Sequence, residues 1–337
     1  MSHSSQSSLD RRAMLRWGAG AALAGAFGGL GGIGASASDS GLVLWGIPAS
    51  PSAVFARAAL SSTLAKAAPG VRFDVWKSTD QMRAGIASGD FKMFATSTYA
   101  AANFFNRGAG TVMVNVVTWG VLYVMARDES IHRIEDLAGK RVLLSNKNEA
   151  PDLLFRLVLK WSGLDPDKDV TLDYVGSPGE AVPLYLAGRG DVAVLHEPSS
   201  TAALFRAKKA GVPLYRAIDI TEVYGAHTGR GPRIPQVGLA VNPAFLEEKP
   251  EVVRAVHEAC VEAGQWTMAN WDEAGKLAAQ SLPLPAPVIA KSLPFVHLDV
   301  LSAKEAQADI ELYFEHLMSL DPGIVGGRKP TSDFYWG

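Results

Sequence analysis

Short apolar runs and helix-starting signals alternate along most of this chain, and that alternation restricts the fold more than any other feature. GLVLWGI (41–47) reads as a compact strand, and Ser50-Pro51 then opens a helix with a capping hydroxyl and a proline at its first position. VRFDVW (71–76) alternates like a half-buried strand, and Ser78 with Gln81 forms a capping box for a helix running to Ser88. FKMFAT (91–96) leads to a second Ser/Thr helix start at Ser97-Thr98, and TVMVNVV (111–117) and VLYVMAR (121–127) follow as strands. Strands separated by helices of about 10–15 residues imply right-handed crossovers and a mostly parallel sheet.

The pattern then restarts. DLAGKRVLL (136–144) begins a second unit, with strands at VTLDYV (170–175), DVAVL (191–195) and VPLYRAI (212–218) and helices over 150–161, 180–186 and 199–209. After the loop YGAHTGRGPRIP comes QVGLAV (236–241), and from Pro243 the chain is chiefly helical. If QVGLAV rejoins the first sheet, the middle segment is a lobe inserted into the first. The expectation is an α/β protein of two mixed, mostly parallel sheets flanked by helices, lobe 1 spanning 41–126 and 237–337 and lobe 2 spanning 127–236. The crossing strands then lie near Met125 and Val237. Helix N-termini following the strands point into the cleft between the lobes, where open α/β sheets bind ligands.

Residues 1–37 read differently. Arg11, Arg12 and Arg16 precede an uncharged stretch, Trp17 to Gly34, that is mostly Gly and Ala. A spanning helix needs about 20 strongly apolar residues, and Gly costs roughly 1 kcal/mol per helix position relative to Ala. With the A-x-A site Ala35-Ser36-Ala37, the segment reads as an export signal of the twin-arginine type, removed to leave a periplasmic chain that begins near Ser38.

Composition excludes several functions. The 337 residues carry a formal charge of -2 and are 48% apolar, enough for a large core in two lobes, and no basic patch implies a nucleic-acid partner. The single cysteine, Cys260, cannot form an internal disulfide and reads as a small buried hydrophobe in the helical pattern EVVRAVHEACVEAGQW. No H-x-x-x-H or Cys/His cluster implies a metal, and no G-x-S-x-G elbow, P-loop or post-strand G-x-G-x-x-G implies catalysis or a cofactor.

A set of segments in order carries a resemblance: the export signal, LWGIPASPSAVF, IEDLAGKRVLL, SGLDPDKDVTLDYV, LYLAGRGDVAVLHEP and NPAFLEEKPEVVRAVHEACVEAGQW. The chain resembles periplasmic solute-binding proteins of ABC importers of the nitrate/sulfonate/taurine type, whose relatives also bind thiamine-pyrimidine precursors. The resemblance implies the two-lobed type II periplasmic-binding-protein fold. It also implies a monomer that closes over a small polar or anionic organic solute and presents it to an ABC permease in the inner membrane. Export without a permease, to serve a sensor or a periplasmic enzyme, is the alternative, with an enzyme on the same fold as a third reading that export argues against.

The candidate ligand residues sit at strand ends. Ser50 and Ser52 offer hydroxyls at the mouth of the first helix, either as anion ligands or as plain caps. Ser97 and Thr98 repeat the arrangement where the resemblance implies ligand contacts. Trp119 is either an aromatic wall of the cleft or a core residue. In the second lobe Ser145, Asn146 and Lys147 follow RVLL, and the bulky polar NKN departs from the small residue common in relatives. Glu197, in His196-Glu197-Pro198, either meets an amine or caps the next helix. Arg230 and Arg233 lie in a loop that either clamps an acidic ligand group or faces solvent.

Replacing Arg11 and Arg12 together by lysine is expected to remove the mature chain from the periplasmic fraction, followed by fractionation and N-terminal sequencing. Undiminished export would rule out the twin-arginine route.

Overall fold

The computed structural model describes residues 41–337, so the export-signal reading of residues 1–37 lies outside the described residues. In chain order, β1 (Val43–Gly46) leads to α1 (Ser52–Ala58) and α2 (Ser62–Ala67), β2 (Arg72–Val75) to α3 (Thr79–Ser88), and β3 (Met93–Ser97) to α4 (Thr98–Asn106). β4 (Val112–Thr118) then passes through Trp119 and Gly120 into β5 (Leu122–Ala126). β6 (Arg141–Ser145) precedes α5 (Ala150–Trp161), β7 (Thr171–Val175) α6 (Pro178–Leu186), β8 (Val192–His196) α7 (Ser199–Ala210), and β9 (Tyr215–Asp219) α8 (Ile220–Thr228). β10 (Val237–Val241) is followed by α9 (Pro243–Glu248), α10 (Pro250–Ala269), α11 (Trp271–Ala278), α12 (Ala286–Ser292), β11 (Leu298–Ser302) and α13 (Gln307–Met318).

Two sheets result, ordered β11-β4-β10-β3-β1-β2 and β7-β6-β8-β5-β9. β1 pairs in parallel with β2 and β3, and β6 with β7 and β8. β10 is antiparallel to both β3 and β4, and β5 to both β8 and β9. QVGLAV therefore lies in the first sheet. Each sheet contains one strand that arrives from the other lobe, and it runs against its neighbours because it enters at the end where their helices start.

One expected boundary needs correction. β5 belongs to the second sheet, so the first lobe ends near Thr118 rather than at residue 126, and the crossing lies at Trp119-Gly120 rather than near Met125. VLYVMAR gave no sign of this, because an apolar strand pairs equally well in either sheet. A Cβ on Gly120 would stand 2.1 Å from Thr221 Oγ1, so only glycine lets the crossing chain pass the first turn of α8.

The 20-residue α10 buries Val252, Val253, Val256, Cys260 and Ala263 against Leu44, Met93, Val114 and Leu239 of the first sheet. Cys260 is fully buried, and burial pushes its thiol up to about 12, which keeps it an inert hydrophobe. A second core runs through both lobes, joining Phe94, Met113 and Trp119 to Val124, Val142, Leu154 and Phe155, with Phe314 and Leu317 of α13 packed in. Half of the expected capping box at Ser78 forms: Gln81 N–H donates to Ser78 Oγ at 3.1 Å, but Gln81 Oε1 accepts from the N–H of Lys77, the residue before the N-cap, at 2.6 Å rather than from that of Ser78.

The pairing of β10 with β4 slips after Val237 and again after Leu239. Asn115, fully buried in β4, uses its side-chain oxygen to accept the Leu239 N–H at 3.1 Å. A Cβ on Gly238 would lie 1.8 Å from the Asn115 carbonyl oxygen. Gly238→Ala is therefore expected to destabilise the protein by about 3 kcal/mol, and Asn115→Ala by about 1–3 kcal/mol through the unpaired N–H. Denaturant unfolding measures both, and a Gly238→Ala midpoint equal to the parent's would contradict this packing.

Candidate functional site

Of the residues singled out from the sequence, the structure gathers some at the junction of the lobes and keeps others inside one of them. Ser97 is the N-cap of α4, and its hydroxyl makes no capping bond. Thr98 is fully buried: its hydroxyl donates to Pro235 O at 2.6 Å and its N–H to Gln236 O at 3.0 Å. The first turn of α4 is thus stitched to the chain that re-enters the first sheet as β10.

Trp119 lies beside this stitch. Its N–H donates to His297 O at 3.0 Å, its indole Nε1–H to Asp299 O at 2.7 Å, and it is 1% exposed. The Arg233 guanidinium covers the ring at 3.7 Å from its centroid and reaches Asp299 at 3.3 Å and Asp309 at 3.7 Å, while Arg230 lies 3.6 Å from Asp309. The loop arginines therefore tie the second crossing to β11 and α13.

Across the junction, residues 145–149 form a tight turn before α5. Ser145 Oγ donates to Asn146 Oδ1 at 2.8 Å, and Asn146 and Asn148 have φ of 62° and 61°, a left-handed conformation that Asn tolerates better than most residues. The bulky NKN segment is what this turn requires. Asp152, fully buried in the first turn of α5, holds it by accepting from Asn148 N–H at 2.8 Å, Tyr174 OH at 2.8 Å and Arg156 Nε at 3.1 Å. Lys147 extends over the Tyr174 ring, 5.1 Å from its centroid. The lobes meet where Tyr99 OH, from the first turn of α4, donates to Glu149 Oε2 at 2.8 Å. Burial, and then the Glu149 charge, push the Tyr99 phenol well above its ordinary range, so it stays a donor.

The other candidates are engaged by the protein itself. Ser50 does not cap α1. It is fully buried with its hydroxyl 2.5 Å from that of Ser292, which donates to Ile289 O. Ser52 donates to Ile47 O at 2.5 Å. The Glu197 side chain is wholly buried and faces an internal cation rather than a ligand amine: Arg216 binds its Oε1 through Nε at 2.9 Å and Nη2 at 2.5 Å, and Thr201 N–H donates to Oε2 at 3.2 Å. Burial raises the Glu197 carboxyl against the pull of Arg216 and pushes the neighbouring His196 imidazole down.

Tyr99, Glu149, Asp152 and Arg216 were not singled out from the sequence. Arg216 did carry a signal, as a lone charge in the apolar strand run VPLYRAI needs a buried partner. A surface recess of about 300 Å³ lined by Arg127, Lys140 and Asp191 lies at the end of β6 and β8 remote from these helix starts, and the junction does not include it. No group of three or more His, Cys, Asp or Glu able to hold a metal ion occurs among the described residues. No described helix is long and apolar enough to cross a membrane.

Residues 51–282 match the family of periplasmic substrate-binding proteins of phosphonate ABC transporters. The chain belongs to that family, on a fold of two open mixed sheets shared with solved periplasmic binding proteins. An ABC transporter protein from Parabacteroides distasonis superimposes with a TM-score of 0.69 at 21% identity, over 88% of this chain and 98% of that one. The periplasmic aliphatic sulphonate-binding protein SsuA of Escherichia coli gives 0.65 at 20% identity, over 85% and 95%. The periplasmic nitrate-binding protein NrtA of Synechocystis PCC 6803 gives 0.55 at 16% identity, over 74% and 69%. No curated protein sequence matches.

Breaking one side of a buried ion pair leaves the other charge uncompensated. Glu197→Ala is expected to cost about 3–5 kcal/mol of stability, measured by denaturant unfolding. A cost under about 1 kcal/mol, the range of exposed pairs, would show that the pair carries no structural role.

Proposed function

We propose that this ABC-transporter substrate-binding protein captures a small organic oxyanion of the sulfonate or phosphonate class. The ligand sits between the first turn of α4 and the turn ahead of α5, and lobe closure presents it to an inner-membrane permease. The supporting observation is the Tyr99–Glu149 hydrogen bond: it brings together the starts of two helices, one from each lobe, and neither N-cap side chain bonds to its own helix. Each helix N-terminus carries roughly half a positive charge, so two facing ones suit a single negative charge. Their first-turn N–H groups match oxyanion oxygens. Ser97 and Asn146 are the ligand contacts in this reading. Thr98 and Trp119 hold the first lobe's half of the site, and Ser145 orients Asn146.

The chemical class draws on the phosphonate description of the family and the aliphatic sulphonate of the Escherichia coli neighbour. Affinity arises because the ligand touches both lobes and so favours the closed state by differential contacts. Binding proceeds without turnover. Residues 1–37 direct export by the twin-arginine route, and the mature chain acts as a periplasmic monomer.

A thermal-shift series with alkylsulfonates, alkylphosphonates and nitrate tests the class, as a ligand at 100 times its Kd adds about 2.7 kcal/mol of stability. Ser97→Ala and Asn146→Gly, the latter keeping the left-handed backbone, are each expected to weaken the ligand so found roughly 5- to 150-fold by calorimetry, with unfolding little changed. Parent-like affinity in both variants would move the site away from this junction.

A further inference from the structure

The lobes also meet at a histidine–carboxylate contact outside the proposed ligand site. Asp219 ends β9 in the second sheet and caps α8 by accepting the Thr221 N–H at 2.8 Å through Oδ1. Its other oxygen lies 3.1 Å from His297 Nε2. His297 immediately precedes β11 of the first sheet, and its carbonyl accepts the Trp119 N–H at the crossing. Its neighbour Val296 is buried among Ala53, Val75 and Leu293, which anchors the segment in the first lobe. His297 also has a φ of +44°, which costs a non-glycine residue energy and persists only where its surroundings enforce it.

We propose that the His297–Asp219 contact is a proton-operated clamp between the lobes: with His297 protonated the closed arrangement is favoured, and loss of that proton releases it. The charges around the imidazole agree. From α8 it faces Asp219 and Glu222, both favouring the imidazolium. From β5 comes Tyr123, whose phenol donates to Phe295 O at 2.8 Å and is held neutral by burial and by Asp219. On its own strand Asp299 is turned to Arg233. The hydrogen bond to Asp219 raises the His297 pKa against burial, while His297 and Thr221 hold the Asp219 carboxyl below its usual range despite burial.

Protonation and closure are therefore linked in one direction. A histidine whose proton is held more tightly when the lobes are docked contributes fully below its ordinary value of 6.5, and the contribution fades as pH rises through the raised value. The closed-to-open ratio then falls by at most about tenfold per pH unit. The second inter-lobe histidine contact, His316 Nδ1 with Tyr224 OH at 3.0 Å, does not mask this. Burial lowers the His316 pKa, so that contact responds on the acid side.

The clamp rests on the closure reading but not on the ligand class, so the test uses ligand-free mature protein. Small-angle scattering between pH 6.5 and 9 is expected to show the radius of gyration rising in the parent. Asp219→Asn keeps the α8 cap but removes the charge, and His297→Gln keeps a donor but does not titrate, so both should give a pH-independent radius. The His297 resonance, followed by NMR, should titrate above its ordinary value in the parent and return toward it in Asp219→Asn. A parent radius independent of pH, or a rise that persists in Asp219→Asn, overturns the clamp. If the radius responds as expected while no sulfonate or phosphonate binds, the ligand reading alone fails.

Discussion

The double crossing of the chain between its two sheets is the constraint on which the rest of the structure depends. Because β4 continues through Trp119 and Gly120 into β5, the second sheet receives a strand at the end where its helices begin, and β10 does the same for the first sheet. Both incoming strands run antiparallel for that reason. The starts of α4, α5, α7 and α8 are brought to one side of each sheet, facing the junction, and the clearance at Gly120 lets α8 begin against the crossing itself. The indole of Trp119 fills the space beneath and is sealed by Arg233, so the crossing is a packed element rather than a loose linker.

That packing explains which polar residues remain available to a ligand. A buried hydroxyl without a partner costs a desolvation penalty, and most of those at the strand ends find internal carbonyls: Ser52 meets Ile47, and Thr98 meets Pro235. Glu197 meets Arg216 for the same reason with larger stakes, since an unpaired buried carboxylate is costly. Polar groups at the junction include those of α4's first turn and of the Asn-rich turn before α5, on either side of Tyr99 and Glu149, and the Thr118 and Thr221 hydroxyls at the crossing, which have no hydrogen-bond partner. The proposed site takes the first two of these, one from each lobe.

Much of the fold was legible in the chain. The alternation of period-2 strands with Ser/Thr-started helices gave the α/β class, and chain order favoured, among several arrangements, the return of QVGLAV to the first sheet, where β10 lies. The Ser78 N-cap was legible because its partner lies three residues on in the chain. The lobe boundary was not, since VLYVMAR has the same apolar pattern whichever sheet it joins. The site was legible only as a set of strand ends. Ser97, Thr98, Trp119 and Asn146 do gather at the junction, whereas Ser50 turns to Ser292, 242 residues away in sequence, a partner no local pattern discloses.

By itself, then, the sequence determined what local physics controls: which segments are strands and helices, where several helices begin, that Cys260 is a buried hydrophobe, and that asparagines crowd the turn before α5. Only the tertiary structure decided which hydroxyls are consumed by the core, that Glu197 is neutralised by Arg216, that Tyr99 reaches Glu149, and that His297 faces Asp219 between the lobes. The reason is distance along the chain. Capping and periodicity act over a few residues and leave a mark in the sequence, but a hydrogen bond or ion pair between residues far apart is specified by how two sheets pack, and either partner alone looks like any other polar residue.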